Sequence, residues 1–186
     1  MRKFVALSGI SALAFAAAPV AAQTIAAPAG ARAEAVVGYD RPLIAIQGFE
    51  DLKDDGVIYG VGAGYDVPIG PSMAIGADVE ITGSTAKWES SAAELRVGRD
   101  IYAGARVTFP VSDVANLYVK GGYTNLRMTG EVAGMNESEN LDGWRVGAGG
   151  QFGIGGRAYV GGEYRYSDYE QDVSRHQFAL TVGTRF

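Results

Sequence analysis

Beyond residue 31 the chain alternates apolar with small or polar residues at a period of two, in eight separate segments. That period sends successive side chains to opposite faces of a strand, so each segment predicts a β-strand with one apolar and one small or polar face. The clearest is Gly56 to Val67, where Val57, Tyr59, Val61, Ala63, Tyr65 and Val67 alternate with Ile58, Gly60, Gly62, Gly64 and Asp66. Before it, from Arg32 to Asp40, Ala35, Val37 and Tyr39 oppose Glu34, Val36, Gly38 and Asp40. The third sets Met73, Ile75, Ala77, Val79 and Ile81 against Ala74, Gly76, Asp78, Glu80 and Thr82. In the fourth, Leu95, Val97, Ile101, Ala103, Ala105, Val107 and Phe109 share a face with Arg99, a misfit whose long side chain can snorkel at a membrane boundary. Its other face carries Arg96, Gly98, Asp100, Tyr102, Gly104, Arg106 and Thr108.

The remaining segments repeat the theme. Leu117, Val119, Gly121 and Tyr123 oppose Tyr118, Lys120, Gly122 and Thr124, and Trp144, Val146, Ala148, Gly150 and Phe152 oppose Arg145, Gly147, Gly149 and Gln151. Ala158, Val160, Gly162, Tyr164 and Tyr166 oppose Tyr159, Gly161, Glu163 and Arg165. The last eleven residues, from His176, set Phe178, Leu180, Val182, Thr184 and Phe186 against Gln177, Ala179, Thr181, Gly183 and Arg185.

Connection lengths alternate. Short Gly/Pro turns at residues 68–72, 110–115 and 153–156 join strands two to three, four to five and six to seven, and longer polar loops at 41–55, 83–93, 128–140 and 167–174 join the rest. Short turns at one end and long loops at the other predict an all-β fold, an eight-stranded antiparallel up-and-down transmembrane β-barrel with turns in the periplasm and loops outside.

A soluble barrel of the lipocalin type, with its apolar face turned inward around a ligand, is the competing fold. Such a barrel needs an outer surface covered in solvated side chains. Here the polar face is Gly and Ala punctuated by single charges, which suits a narrow lumen that side chains must fill. Glu34, Asp40, Asp66, Asp78, Glu80, Asp100 and Glu163 share that face with Arg106, Lys120, Arg145, Arg165 and Arg185. Buried charges are paired, so an internal ion-pair network is expected in place of an open pore. Asp78 and Glu80 are read as partners of Arg106 or Lys120 and not as a catalytic acid pair.

The amino terminus agrees with export. Met1-Arg2-Lys3 precedes an apolar, Ala-rich stretch from Phe4 to Val20, and Val20-Ala21-Ala22 presents small residues to a signal peptidase. Residues 1–22 are expected to be a cleaved signal peptide, 23–31 a short N-terminal segment and 32–186 the barrel. Beyond residue 22 no stretch approaches the roughly 18 apolar residues of a spanning helix. Loss of Arg2 and Lys3 takes the formal charge from −5 to −7, which argues against nucleic-acid binding. The chain has no Cys, so disulfides, thiolate metal sites and a Cys nucleophile are excluded, and no cofactor is expected.

The segments VVGYD, GVIYGVGAGYDV, IGADVEIT, RDIYAGARVTF, LYVKGGYTN, WRVGAGGQF, VGGEYRYS and HQFALTVGTRF together resemble the small outer-membrane β-barrel domain family, the OmpA-like and opacity-protein-like "porin family" set. The resemblance covers essentially the whole mature chain and rests on the order of the eight segments, since each motif alone is degenerate. It implies a Gram-negative outer-membrane barrel, monomeric, with outer-membrane lipid and lipopolysaccharide as neighbours. The periplasmic peptidoglycan-binding domain of long relatives has no counterpart here, so cell-wall tethering is not carried over. The terminal strand, through Phe178, Leu180, Val182 and Phe186, resembles the signal that such barrels present to their insertion machinery, with Thr184 departing from the apolar run. Tyr39, Tyr65, Phe109, Tyr123, Trp144, Phe152, Tyr164 and Tyr166 sit near strand ends on the apolar face, as expected of an aromatic girdle at the two interfaces.

Catalytic readings find little. His176 is the single His, on the apolar parity of the last strand, where lipid A deacylases carry theirs. The His-x-Ser pattern of those enzymes is absent: Ser174 precedes it and Phe178 follows. Gly-rich strings such as GVGAGYD lie inside strand patterns and precede no helix, which excludes a phosphate loop. The loops carry acids, Glu50, Asp51, Asp54 and Asp55, then Glu131, Glu137 and Glu139, then Asp168, Glu170 and Asp172, without the spacing of a calcium loop. Three functions are therefore in play: a structural or surface-interaction protein, a small porin, and a barrel-wall lipid hydrolase.

Overall fold

A computed structural model describes residues 27–44, 52–89, 93–132 and 135–186. The expected signal peptide, and Glu50 and Asp51 of the first loop, lie outside these. The described chain forms β1 (Gly30–Ile44), β2 (Leu52–Lys53), β3 (Gly56–Pro68), β4 (Ala74–Ser84), β5 (Lys87–Glu89), β6 (Ala93–Pro110), β7 (Ala115–Val132), β8 (Met135–Gly155), β9 (Ala158–Tyr169) and β10 (Val173–Arg185). Eight of these make the wall, in the order β1, β3, β4, β6, β7, β8, β9, β10, and every wall pairing is antiparallel. β10 pairs back onto β1 from Arg32↔Arg185 to Ile44↔Val173, so the sheet closes and no wall strand is left with an open edge along the barrel. β2 and β5 are short additions to the rim, paired with β1 and β6.

The turns at the end that carries both termini are tight. The Ile69 N–H donates to the Met73 carbonyl at 2.7 Å, and the Val111 N–H to the Ala115 carbonyl at 2.9 Å. Gly155 and Gly156, between β8 and β9, have φ of 121° and 58°, a left-handed path that a side chain would resist.

At the other end the strands run past the expected loop boundaries. Residues 128–132 and 135–140, expected as loop, are the upper ladder of β7 and β8. Residues 167–169 and 173–174 belong to β9 and β10, which leaves a three-residue turn in which Gln171 and Asp172 take φ of 61° and 56°. β8 meets β9 only from Gly143 downward, so Met135 to Asp142 pair with β7 alone and the β6–β7–β8 sheet rises above the rest of the rim.

Polarity is inverted within the barrel proper. Arg106, Arg145, Arg165 and Arg175 are buried to 2% exposure or less, while Leu180 is 65% and Phe178 59% exposed on the outer wall. Apolar area of this extent belongs against lipid, not water. The lipocalin alternative, which needs the apolar face inside, is therefore wrong. Above the barrel the ordinary order returns: Ala86, Val97, Leu126, Met128, Leu141, Tyr169 and Val173 form a buried apolar cluster inside the raised rim.

The fourth segment needs a second correction. Val97 was expected outside with Ile101, but it is 3% exposed and faces inward. β6 pairs Val97 with Met128 and Asp100 with Leu126, which leaves Gly98 and Arg99 opposite Arg127 alone. The bulge reverses the phase only above it: Arg99 points outward by regular alternation with Asp100 and Ile101, as expected, whereas Val97 turns inward and Arg96, expected on the polar face, turns outward.

Candidate functional site

The lumen is where the charges meet. Inward parity on each wall strand brings together all twelve residues expected there, and it adds Arg32 on β1 and Arg175 on β10. Seven cations and seven carboxylates result, a balanced set among the described residues. Arg32 and Arg175 were missed because the first segment was read on one face only as far as Glu34 and the last was begun at His176. Continuing the same parity by one step would have found both.

Near the termini Asp66 is held between Arg32 (2.6 Å) and Arg185 (2.5 Å). Arg32 also pairs with Asp78, which Arg106 grips through Nε and Nη2, both at 2.8 Å. Glu34 accepts hydrogen bonds from Tyr159 (2.7 Å) and Gln151 (3.1 Å). In the middle Arg165 reaches both oxygens of Glu80, at 2.5 and 2.8 Å, and its Nε donates to Glu163. Lys120 sits 2.9 Å from Glu163 and 3.7 Å from Glu80. At the loop end Asp100 receives Arg145, Arg175, Tyr169 and Thr124, and Asp40 receives Arg175 and Gln177. Arg145 also lies 3.4 Å from Glu80, and Arg106 3.7 Å from Glu34, so the tiers form one network.

Tyrosine and glycine, both abundant, are complementary parts of this packing. Tyr118 pairs in register with Gly149 and Tyr159 with Gly183, and each ring lies across the bare backbone of its partner. The same inward tyrosines stack on cations, with Arg106 4.1 Å from the Tyr118 ring centre and Arg185 5.2 Å from that of Tyr159. Glycine on the inner wall thus leaves room for a ring that covers it and reaches a carboxylate.

The outer wall carries the residues expected of the girdle. Toward the loops Tyr123 pairs with Trp144, and Tyr39 with Phe178. Trp144 and Tyr166 lie 5.6 Å apart between ring centres, Tyr166 and His176 5.0 Å, and Tyr164 and Phe178 5.0 Å. Tyr59, outside the expected girdle set, is also exposed on the outer wall. Tyr65, Phe109, Phe152 and Phe186 face outward toward the turn end. His176 is 2.7 Å from the Tyr164 hydroxyl through Nδ1, so its nearest polar neighbour is a phenol and not an acid. Just above Tyr123, Asp142 accepts from Tyr123 (2.5 Å) and Asn125 (2.6 Å), which holds its carboxyl below the usual carboxylate range.

A closed antiparallel barrel with an apolar exterior, aromatic residues at two levels and a charged interior is an outer-membrane protein by construction. The chain belongs to the outer membrane protein β-barrel domain family, whose model matches residues 8–186. Its place is therefore the cell outer membrane. No curated protein sequence matches it. Among solved structures it is similar to neisserial surface protein A, with 16% identity over 84% of this chain and 97% of that one, at a TM-score of 0.62. It is similar to Ail, the attachment invasion locus protein of Yersinia pestis, with 19% identity over 86% of this chain and all of that one, at a TM-score of 0.58. The N-terminal barrel domain of Pseudomonas aeruginosa OprF matches at 12% identity over 85% and 98% of the two chains, with a TM-score of 0.55. At these identities the likeness is one of fold.

Proposed function

We propose that the protein is a closed, non-conducting barrel that presents its raised rim to the surroundings as a structural or surface-interaction element. The observation that carries this is the set of ties across the lumen. Glu80 on β4 touches Arg165 on β9, and Asp100 on β6 touches Arg175 on β10. Each pair joins strands four steps apart in a ring of eight. A channel would need both ties, at different heights, to part together. The small-porin reading loses ground for that reason. The hydrolase reading gains nothing from His176, whose contacts are aromatic.

Purified, folded protein in planar bilayers tests this. The expected trace shows no ion current beyond that of bilayers alone. Steady single-channel currents from heat-modifiable monomer would overturn the reading in favour of a porin.

A further inference from the structure

Between the two aromatic levels the described outer wall carries no charged side chain, and above the loop-side level cations gather on neighbouring strands. Arg99, outward by regular alternation with Asp100, pairs in register with Gly83, which in turn pairs with Tyr59. Tyr59 and Arg99 line one groove, which sets Arg99 beside a girdle tyrosine of the kind that marks the headgroup region. Arg127 lies opposite the bulge on β7, and one step higher Lys87 of β5 is in register with Arg96 of β6. All four are exposed on the same outward face. Among the described residues neither Arg99 nor Arg127 has an ion-pair partner, whereas Lys87 and Arg96 are already engaged in interactions of their own. Beneath Arg99 runs a wall groove of about 460 Å³, floored by Val61, Ile81 and Tyr59 beside the side-chain-free Gly83 and Gly98.

We propose that this face binds a phosphorylated glycolipid of the outer leaflet, its phosphates on Arg99 and Arg127 with Lys87 and Arg96 behind, and an acyl chain in the groove. Charge complementarity chooses the occupant, since guanidinium forks at headgroup height match phosphate oxygens and an apolar slot below them matches a lipid tail. The bulge then has a use: it reverses the alternation above it, so that Arg96 joins Arg99 on the outer face while Val97 and Leu95 turn into the rim cluster. The inference rests on the barrel's standing in the outer membrane with its long end outward, and not on whether the lumen conducts.

Native mass spectrometry of the folded barrel in nonionic detergent, titrated with bisphosphorylated lipid A, is the test. Wild type should retain lipid A at least about tenfold more tightly than the dephosphorylated lipid. Arg99→Gln with Arg127→Gln should lose about tenfold in affinity, and Arg157→Gln, at the turn end, should lose none. Heat-modifiable mobility first confirms that each variant folds, and if the double variant does not, Arg99→Gln alone and Lys87→Gln with Arg96→Gln carry the comparison. Equal retention of the dephosphorylated lipid, unchanged binding in the arginine variants, or an equal loss in Arg157→Gln would each overturn the site. Bilayer currents would sink the closed-lumen reading without touching this one, and loss of phosphate selectivity would do the reverse.

Discussion

Glu80 and Arg165 meet across the full width of the barrel, both carboxylate oxygens accepting from one guanidinium, although β4 and β9 lie four strands apart in either direction around the wall. A bond of this kind holds the wall together from inside and fills the lumen at the same time. Glu80→Ala leaves Arg165, Lys120 and Arg145 facing a lost carboxylate, and the expected loss of stability is about 3–5 kcal/mol. Glu80→Ala with Arg165→Ala removes one charge of each sign, so its cost should fall well short of the sum of the two single losses. Urea unfolding in micelles measures all three. Additive losses would show that the two groups do not act as a pair. Because the Asp100–Arg175 tie remains, the double variant should still carry no current in planar bilayers.

Gly149 and Tyr118 make a separate prediction. A Cβ at Gly149 would lie 2.7 Å from the Tyr118 hydroxyl and 2.5 Å from the Gly162 carbonyl, too close for the ring to stay. Gly149→Val should therefore displace Tyr118, break its 2.7 Å hydrogen bond to Glu163 and cost about 1–3 kcal/mol. Gly150, one residue along and facing lipid, would bring a Cβ only to 3.4 Å from Leu117. Gly150→Ala should change stability by less than about 0.5 kcal/mol. If the two substitutions cost the same, the ring-on-glycine packing is not what these positions select.

Phe186 separates assembly from stability. Its side chain is 67% exposed on the outer wall, while its N–H donates to the Ala31 carbonyl at 2.9 Å to finish the seam. Phe186→Ala keeps that backbone bond. The unfolding midpoint of refolded protein should move little, by about 1 kcal/mol or less. The heat-modifiable fraction recovered from the outer membrane of expressing cells should drop several-fold. Equal recovery of variant and wild type would remove Phe186 from any part in insertion.

The eight wall strands were legible because lipid outside and a crowded lumen inside impose the same alternation on each of them. The twelve charges assigned to the lumen are there, from Glu34 to Arg185, whereas Arg96, which parity put on the same face, is turned outward above the bulge. The rim was harder to read because the rule reverses at the membrane surface. On β7 Thr124 and Leu126 both face inward, one beside Asp100 and the other in the apolar cluster, with no break in register between them. Strand that leaves the bilayer turns its apolar face in, so its sequence looks out of phase and passes for loop. On β6 the reversal coincides with the bulge, and the two shifts cancel. Leu95, Val97, Ile101 and Ala103 then read as one continuous face, although the first two point inward and the last two outward. The cross-lumen pairings were invisible for a different reason, since parity assigns a side chain to the lumen but not to a partner.

That cancellation can be tested by deletion. Removing Gly98 takes out the residue by which β6 exceeds β7 between Val97 and Asp100, and it leaves Val97 inward opposite Met128, Arg99 outward opposite Arg127 and Asp100 inward opposite Leu126. Every side chain keeps its face, so the deletion should yield a heat-modifiable barrel within about 1 kcal/mol of wild type. Removing Gly104 from the regular part of the same strand has no such escape. It slides either Asp100 and Tyr102 or Arg106 and Thr108 onto the lipid side, against Tyr123 or Val119 of β7. A charge at the membrane-facing wall costs about 2–4 kcal/mol on top of the lost lumen pairing, so this chain should fail to fold or remain unshifted on unboiled gels. Comparable folding of the two deletions would mean that β6 does not hold the register described. Failure of the Gly98 deletion alone would mean that the bulge itself, and not only the facing of its neighbours, is needed to close the wall.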